Sequence, residues 1–387
     1  EIIRAAAARQ ESNVRIGGGP GGYQAMEQHT FENPTFLRSA IEGALYARMS
    51  GTAPEGAATE FMGRTIIDMG VALAEARGER ISWRNKDGLV DVVMQRQHTT
   101  SDFPTLLTGA GNRILMEAYA TAQTPLKAIA RKRSATDFRP ITRARIGEMP
   151  SLKKVPESGE VEYGTRAEAK AAFSVSTFAR IFSLSRQAII NDDLGAFADV
   201  NVAWGRASAD REATELVSLL TANSGNGANL DDGNPLYTTT RGNKAASGAA
   251  PSVATLSAAR KSMRETKGLD GATPVSVTPK FLLVGAATET AGEQVLTDLL
   301  ANQVAEVNPF AKRLQLAVEP RLTGNAWRMF ADPAEASVLE YAYLDGAEGP
   351  IMRTREGWTV LGLEFQCILD FGCGLSDWRG SFLNPGA

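Results

Sequence analysis

The sequence predicts an α+β fold, and three stretches carry the prediction. Residues 191–223 read NDDLGAFADVNVAWGRASADREATELVSLLTAN, with apolar side chains at Leu194, Phe197, Val200, Trp204, Ala207, Leu216, Val217 and Leu220. That spacing is mostly helical and turns one stripe toward a core. From Arg139 to Ala179, sparse apolar residues sit among charges of both signs. The run Phe173, Val175, Thr177 then alternates with period two, so this stretch predicts a long two-stranded hairpin. From Leu236 to Tyr343, helical and strand-like segments alternate, which predicts helices packed around one sheet.

The helix of the first stretch is the longest element expected. Asn191, Asp192 and Asp193 offer a capping oxygen and negative charge at its start. Asp199, Arg206, Asp210, Arg211, Glu212 and Glu215 occupy the face assigned to solvent. Asn223, Ser224 and Gly225 supply the stop. A helix over this span is about 45 Å long and acts as a strut.

Residues 1–35 read as an arm. Arg4, Arg9 and Arg15 precede Gly17-Gly18-Gly19-Pro20-Gly21-Gly22, a run that holds no regular element cheaply and predicts a flexible tether. Residues 36–98 read as a helical region. One helix runs from Pro34 to Met49, a second from Thr59 to Arg77, and a short apolar stretch covers Leu89–Met94. Residues 99–138 begin with the capping pair Ser101 and Asp102 and continue as a helix over 104–122. The hairpin follows, with Arg139, Arg143 and Arg145 on its first strand and Lys153, Lys154, Glu157 and Glu160 in a charged tip over 149–165. An isolated hairpin is marginal in water, so this ribbon is expected to lie on another surface. That surface is either its own domain or a second subunit.

Gly225–Ala250 is a loop region rich in Gly, Asn, Asp and Ser. A helix is expected at Ser257–Lys267, a buried strand in PKFLLVG, a helix at Glu289–Gln303, and strands at Leu314–Val318, Trp327–Phe330 and Val338–Leu344. Residues 344–387 close the chain with further strands.

The chain has 387 residues, room for two or three domains, with a net charge of −3. That balance excludes a globally basic nucleic-acid binder. No run of about 18 apolar residues is present, so no membrane span is expected. Cys367 and Cys373 are read as two thiols rather than a disulfide, which fits a reducing compartment.

No pattern for chemistry emerges, and no cofactor, metal or catalytic residue is expected. Gly374-Leu375-Ser376-Asp377-Trp378 lacks the final glycine of a nucleophile elbow, and both histidines, His29 and His98, lie in the first 98 residues. Cys-x-x-Cys and His-Glu-x-x-His spacings are missing. Asp192-Asp193 is explained by a helix start and Asp231-Asp232-Gly233-Asn234 by turn preference.

Several stretches in order resemble the major capsid proteins of tailed bacteriophages. They are HTTSDFPTLL from His98, DFRPI at 137–141, KKVPESGEVEYGTRAEAKAAFSVSTFARIFSLSRQAIINDDLGAF, the long helix, and GWTVLGLEFQCILDFGCGLSDWRG near the end. More narrowly, the chain is similar to the branch in which a prohead protease can be fused ahead of the capsid protein. The resemblance spans the chain from about Pro34 onward.

It implies the Hong Kong 97 fold, in which residues 1–35 form the N-terminal arm. Residues 99–138 and 181–235 would form the peripheral domain, with the spine helix over Asp192–Ala222 carrying Asp192, Asp193, Phe197, Trp204, Leu216 and Leu220. Residues 139–180 would be the extended loop, 236–343 the axial domain and 344–387 the closing strands. It implies self-association into hexamers and pentamers of an icosahedral shell around double-stranded DNA, assembled in the bacterial cytoplasm. A portal at one vertex, a decoration protein and a maturation protease are the further partners implied, and no membrane. The chain begins at Glu1, which an engineered start, an omitted leading segment or proteolysis would each produce; removal of an N-terminal segment is what the resemblance implies.

Two departures stand out. The family's His-Gly-Asn after the spine appears as Arg241-Gly242-Asn243, so no role carries over there. The helices of 36–95 exceed the minimal fold. Lys153, Lys154 and Lys170 lie in the loop, where some relatives form covalent links, but no motif identifies a partner, and no link is predicted. A nanocompartment shell of the same fold and a soluble enzyme remain the alternative readings.

Overall fold

The structure, a computed structural model, describes residues 34–76, 103–146, 168–185, 187–188, 191, 194–268, 273–297, 310, 313–356 and 362–387. Helices and strands are mixed, as an α+β chain requires. The described chain divides into two compact units.

The first unit takes residues up to Ile114, Ile181–Asn201 and Met352–Gln366. Helix α1 (Pro34–Ser50) lies where the sequence places it. The expected second helix is broken: a 3-10 turn covers Gly56–Phe61, and α2 starts afresh at Ile66–Glu75. Thr65 is the reason, because its hydroxyl accepts from the Asp68 amide while Asp68 accepts from the Thr65 amide, closing a capping box. The Leu89–Met94 stretch and the Ser101–Asp102 caps lie outside the described residues. Helix α3 (Phe103–Thr121) follows the expected span.

The second unit takes Leu115–Arg180, Val202–Ile351 and Cys367–Ala387. A helical turn α4 (Leu126–Ile129) leads into β1 (Arg131–Ala135), a strand with no apolar alternation that the sequence reading missed. Hairpin strands β2 (Ile141–Ile146) and β3 (Glu168–Phe173) pair antiparallel, from Ile141↔Phe173 to Ile146↔Glu168. The second strand ends six residues short of Ala179. Chain from Ser176 to Ser185 is a separate strand, β4, that joins a larger sheet. The hairpin tip lies outside the described residues.

Helix α5 (Leu194–Gly225) is the predicted strut. Ala222, Asn223 and Ser224 leave helical geometry, and Asn223 and Ser224 take positive φ, so the stop falls where Asn223-Ser224-Gly225 predicted it. Beyond it come α6 (Val253–Glu265), β5 (Pro279–Val284), α7 (Glu289–Leu296), β6 (Gln315–Val318), β7 (Trp327–Ala331), β8 (Leu339–Leu344), β9 (Ile351–Glu356), β10 (Gly362–Leu375) and β11 (Ser381–Asn384).

One sheet runs β11-β7-β5-β6, with β5 and β6 parallel as a crossover through α7 requires. Alternate residues of β5 serve opposite cores. Leu282 and Val284 pack with Leu256, Ala259 and Met263 of α6. Phe281 and Leu283 join Leu216, Val217 and Leu220 of α5 and the aromatic face of the other sheet. That other sheet runs β1-β8-β10-β4, with β9 also on β10.

Candidate inter-subunit surface

The residues expected to carry contacts between copies start at the hairpin. Arg139 precedes β2 with its side chain almost fully exposed and its Nε 3.7 Å from Asp137. Such an exposed pair contributes little to stability. Arg143 and Arg145 stand in β2 opposite Ala171 and Ala169, and Lys170 stands opposite Ala144. Lys153, Lys154, Glu157 and Glu160 lie outside the described residues. Among the described residues, β2 and β3 form a two-stranded sheet of their own. Its base is tied down: Ile141 and Phe173 pack against Ala135, Val175 and Ala342.

The spine residues divide. Phe197, Leu216 and Leu220 are buried as expected, whereas Asp192 and Asp193 lie outside the described residues. Trp204 and Val200 are only half-buried and Ala207 is exposed. The stripe that is buried instead runs through Leu194, Phe197, Ala198, Asn201, Gly205, Ser208, Ala209, Glu212, Ala213, Leu216, Val217 and Leu220. It is fully helical in its spacing, but small and polar residues supply more than half of it. Gly205 shows why. A Cβ there would come within 2.6 Å of the Leu115 carbonyl oxygen and 2.9 Å of the Tyr119 amide, so α3 and α5 touch backbone to backbone. The wider expected stripe is rotated outward by this contact. Trp204 and Ala207 are left lining a groove of about 460 Å³ with Phe178, Arg180, Arg211 and Cys367. The Arg211 guanidinium lies 4.4 Å from the Phe178 ring centroid.

Behind that surface, Glu212 is completely buried, against the solvent face assigned to it. Its Oε1 accepts from the hydroxyls of Tyr119 at 2.7 Å and Tyr343 at 2.9 Å, and its other oxygen pairs with the Lys127 ammonium. Lys127 also donates to the Tyr119 hydroxyl at 2.8 Å and sits over the rings of Tyr119 and Tyr343. Burial lowers the Lys127 pKa, with Glu212 opposing. Burial, reinforced by the Glu212 charge, raises those of Tyr119 and Tyr343. The group joins α3, α4, α5 and β8 through a paired charge.

Two more polar anchors hold the spine. Buried Glu319 accepts from Thr124 at 2.6 Å and pairs with Arg321, which also reaches Asp210 on α5. Buried Arg328 donates 3.2 Å bonds to the carbonyls of Leu220 and Gly225, closing the C-terminus of α5 where the helix dipole favours a cation. At Arg241-Gly242-Asn243, Asn243 is buried, accepting from the Thr238 amide and donating to the Leu236 carbonyl. Arg241 pairs with Asp232. These residues pin the loop after the spine.

Cys367 and Cys373 are free thiols. Burial pushes Cys373 up to about 12 and raises Cys367 as well, so neither is poised as a nucleophile. Among the described residues, no group of acids, histidines or cysteines could hold a metal ion, and no helix is long and apolar enough to cross a membrane.

A family model described as phage capsid protein matches residues 168–384, more than half of the chain. No curated protein matches the sequence. Among solved structures, one from Mycobacterium phage Adephagia is 11% identical over 70% of this chain and 90% of that chain, with a TM-score of 0.44. The capsid structure of the cyanophage P-SCSP1u is 10% identical over 69% and 89%, with a TM-score of 0.44. The virus-like particle from Pyrococcus furiosus is 11% identical over 71% and 97%, with a TM-score of 0.40.

Proposed function

The chain belongs to the phage capsid protein family, and from that membership we propose that its copies build the icosahedral head of a tailed phage through the β2–β3 ribbon. As a capsid protein it self-associates into a shell and has its place in the virion. The observation that supports the ribbon's role is its pairing. Among the described residues its strands join neither of the larger sheets, a two-stranded ribbon is marginal alone, and a neighbouring copy supplies further surface for it. Arg139, Arg143, Arg145, Lys153, Lys154, Glu157 and Glu160 then set register between copies by charge, while buried apolar area supplies most of the energy.

The Hong Kong 97 arrangement is the reading that fits these parts: α5 as spine, β2–β3 as extended loop, the β11-β7-β5-β6 sheet with α6 as axial domain. Hexamers and pentamers, a portal at one vertex, a decoration protein, a maturation protease and assembly in the host cytoplasm belong to the same proposal. The enclosed double-stranded DNA is held by the wall and neutralised by mobile cations, consistent with a net charge of −3.

Electron microscopy of the purified chain, with sedimentation and nuclease-protected nucleic acid as companion readouts, tests this. Uniform closed shells that protect DNA are expected. Shells that enclose an enzyme would shift the reading to a nanocompartment, and a compact small oligomer would overturn it.

A further inference from the structure

The hairpin leaves the β1-β8-β10-β4 sheet across a patch of unusually small residues. On β8, Leu339, Tyr341 and Tyr343 face the main core, so Glu340 and Ala342 face the other way. Opposite them on β10 stand Gly374 and Gly372, and beside them on β1 stand Arg131 and Arg133, with Ala135 next along the same face. Onto this face fold the two ends of the hairpin, Ile141 and Phe173, followed by Ser174 and the buried Val175.

The fit leaves no space above the two glycines. A Cβ at Gly374 would lie 2.6 Å from the Phe173 Cβ and 2.8 Å from its Cγ. A Cβ at Gly372 would lie 2.3 Å from the Ser174 carbonyl oxygen and 2.8 Å from the Val175 Cα. Neither glycine is among those with positive φ, so backbone conformation does not demand them; close approach does. Beside this tight seat lies a cavity of about 210 Å³, lined by Arg133, Ile141, Thr142, Ala171, Phe173, Glu340 and Leu375. Arg133 and Glu340 pair at 3.1 Å along it. The hairpin root is therefore blocked against β10 and open toward the Arg133–Glu340 pair.

We propose that Gly372 and Gly374 are positioning residues for assembly: they form the seat that sets the angle at which the β2–β3 hairpin leaves its sheet. A methyl group at either pushes Phe173 or Ser174 off the seat, and the open cavity gives the root somewhere to go. The large core beneath is untouched because both glycines face away from it. The proposal rests on the shell reading for its consequence, not for its geometry.

The test places spin labels at Thr142→Cys and Lys261→Cys, on the hairpin and on α6, in a full chain with Cys367 and Cys373 replaced by Ala. Gly374→Ala is expected to shift the label-to-label distance distribution, to retain a cooperative melt, and to lose normal shells. An unchanged distance distribution overturns the proposal. A wild-type chain that forms no shells would count against the shell reading alone, since the distance shift is still measured. Should Gly374→Ala fail to fold, Phe173→Gly with and without Gly374→Ala decides: removing the contacting side chain is expected to restore folding. A double variant as damaged as the single one overturns the seat.

Discussion

Around Glu212, every charge meets its partner within one chain; along β2–β3, charged residues alternate on a ribbon whose described strands pair with each other and whose root packs on the larger sheet. The first region is dense and bonded. The second has Arg139, Arg143 and Arg145 and, in sequence, a tip of mixed charge, but almost no apolar area of its own. On the reading proposed above, folding and the register of assembly are written in separate places: stability in the buried stripe of α5, register between copies in the hairpin.

The comparison breaks most sharply at Glu212. Glu212→Ala leaves the Lys127 ammonium buried without its carboxylate and is expected to cost about 3–5 kcal/mol, read by denaturant unfolding. Replacing both partners, as in Glu212→Leu with Lys127→Met, is expected to recover most of that loss, because it removes the desolvation cost along with the attraction. Next comes Gly205→Ala. Helix propensity alone would stabilise α5 by about 1 kcal/mol. The backbone contact with Leu115 and Tyr119 is expected to reverse the sign and destabilise by roughly 1–3 kcal/mol, as overpacking does.

A smaller effect is expected in alkali. Cys373 is pushed up to about 12, so its thiol stays protonated in the fold at pH values where the unfolded chain, with an ordinary value of 9.0, has already lost the proton. Its contribution is complete below about pH 8.5 and declines as pH rises toward 12. Tyr119 and Tyr343, both raised, act in the same direction above pH 10. Lys127, lowered by burial, acts in the opposite direction, adding stability as pH climbs toward its ordinary value. Thermal melts between pH 8 and 11 check this: Cys373→Ala is expected to flatten the fall that begins near pH 9.

How much of this was legible follows the same divide. Leu216, Val217 and Leu220 announce the lower half of α5 because large apolar residues repeat at helical spacing. Its upper half is harder to read, because Gly205 and Ser208 carry no hydrophobic signal and Ala209 no more than Ala207, so Val200, Trp204 and Ala207 mark the expected stripe. Glu212 was assigned to solvent for the same reason: its partners Lys127 and Tyr343 lie 85 residues before and 131 after it, and no spacing rule links them. Strand β1, Arg-Lys-Arg-Ser-Ala, has no alternation to detect, since its pairing with β8 is what makes it a strand. The break before α2 was readable, because Thr65-x-x-Asp68 is a capping box in sequence. The hairpin was legible through Phe173 and its alternating charges, but its second strand was drawn too long, since Phe173, Val175 and Thr177 keep their period across the seam into β4.

The separation of folding from assembly is tested most directly by Arg143→Glu with Arg145→Glu, measured by sedimentation and thermal unfolding side by side with the wild type. The account predicts stability within about 0.5 kcal/mol of the wild type, as for ordinary surface substitutions, together with loss of closed shells. Normal shells from the double variant, or a monomer that no longer melts cooperatively, would contradict it.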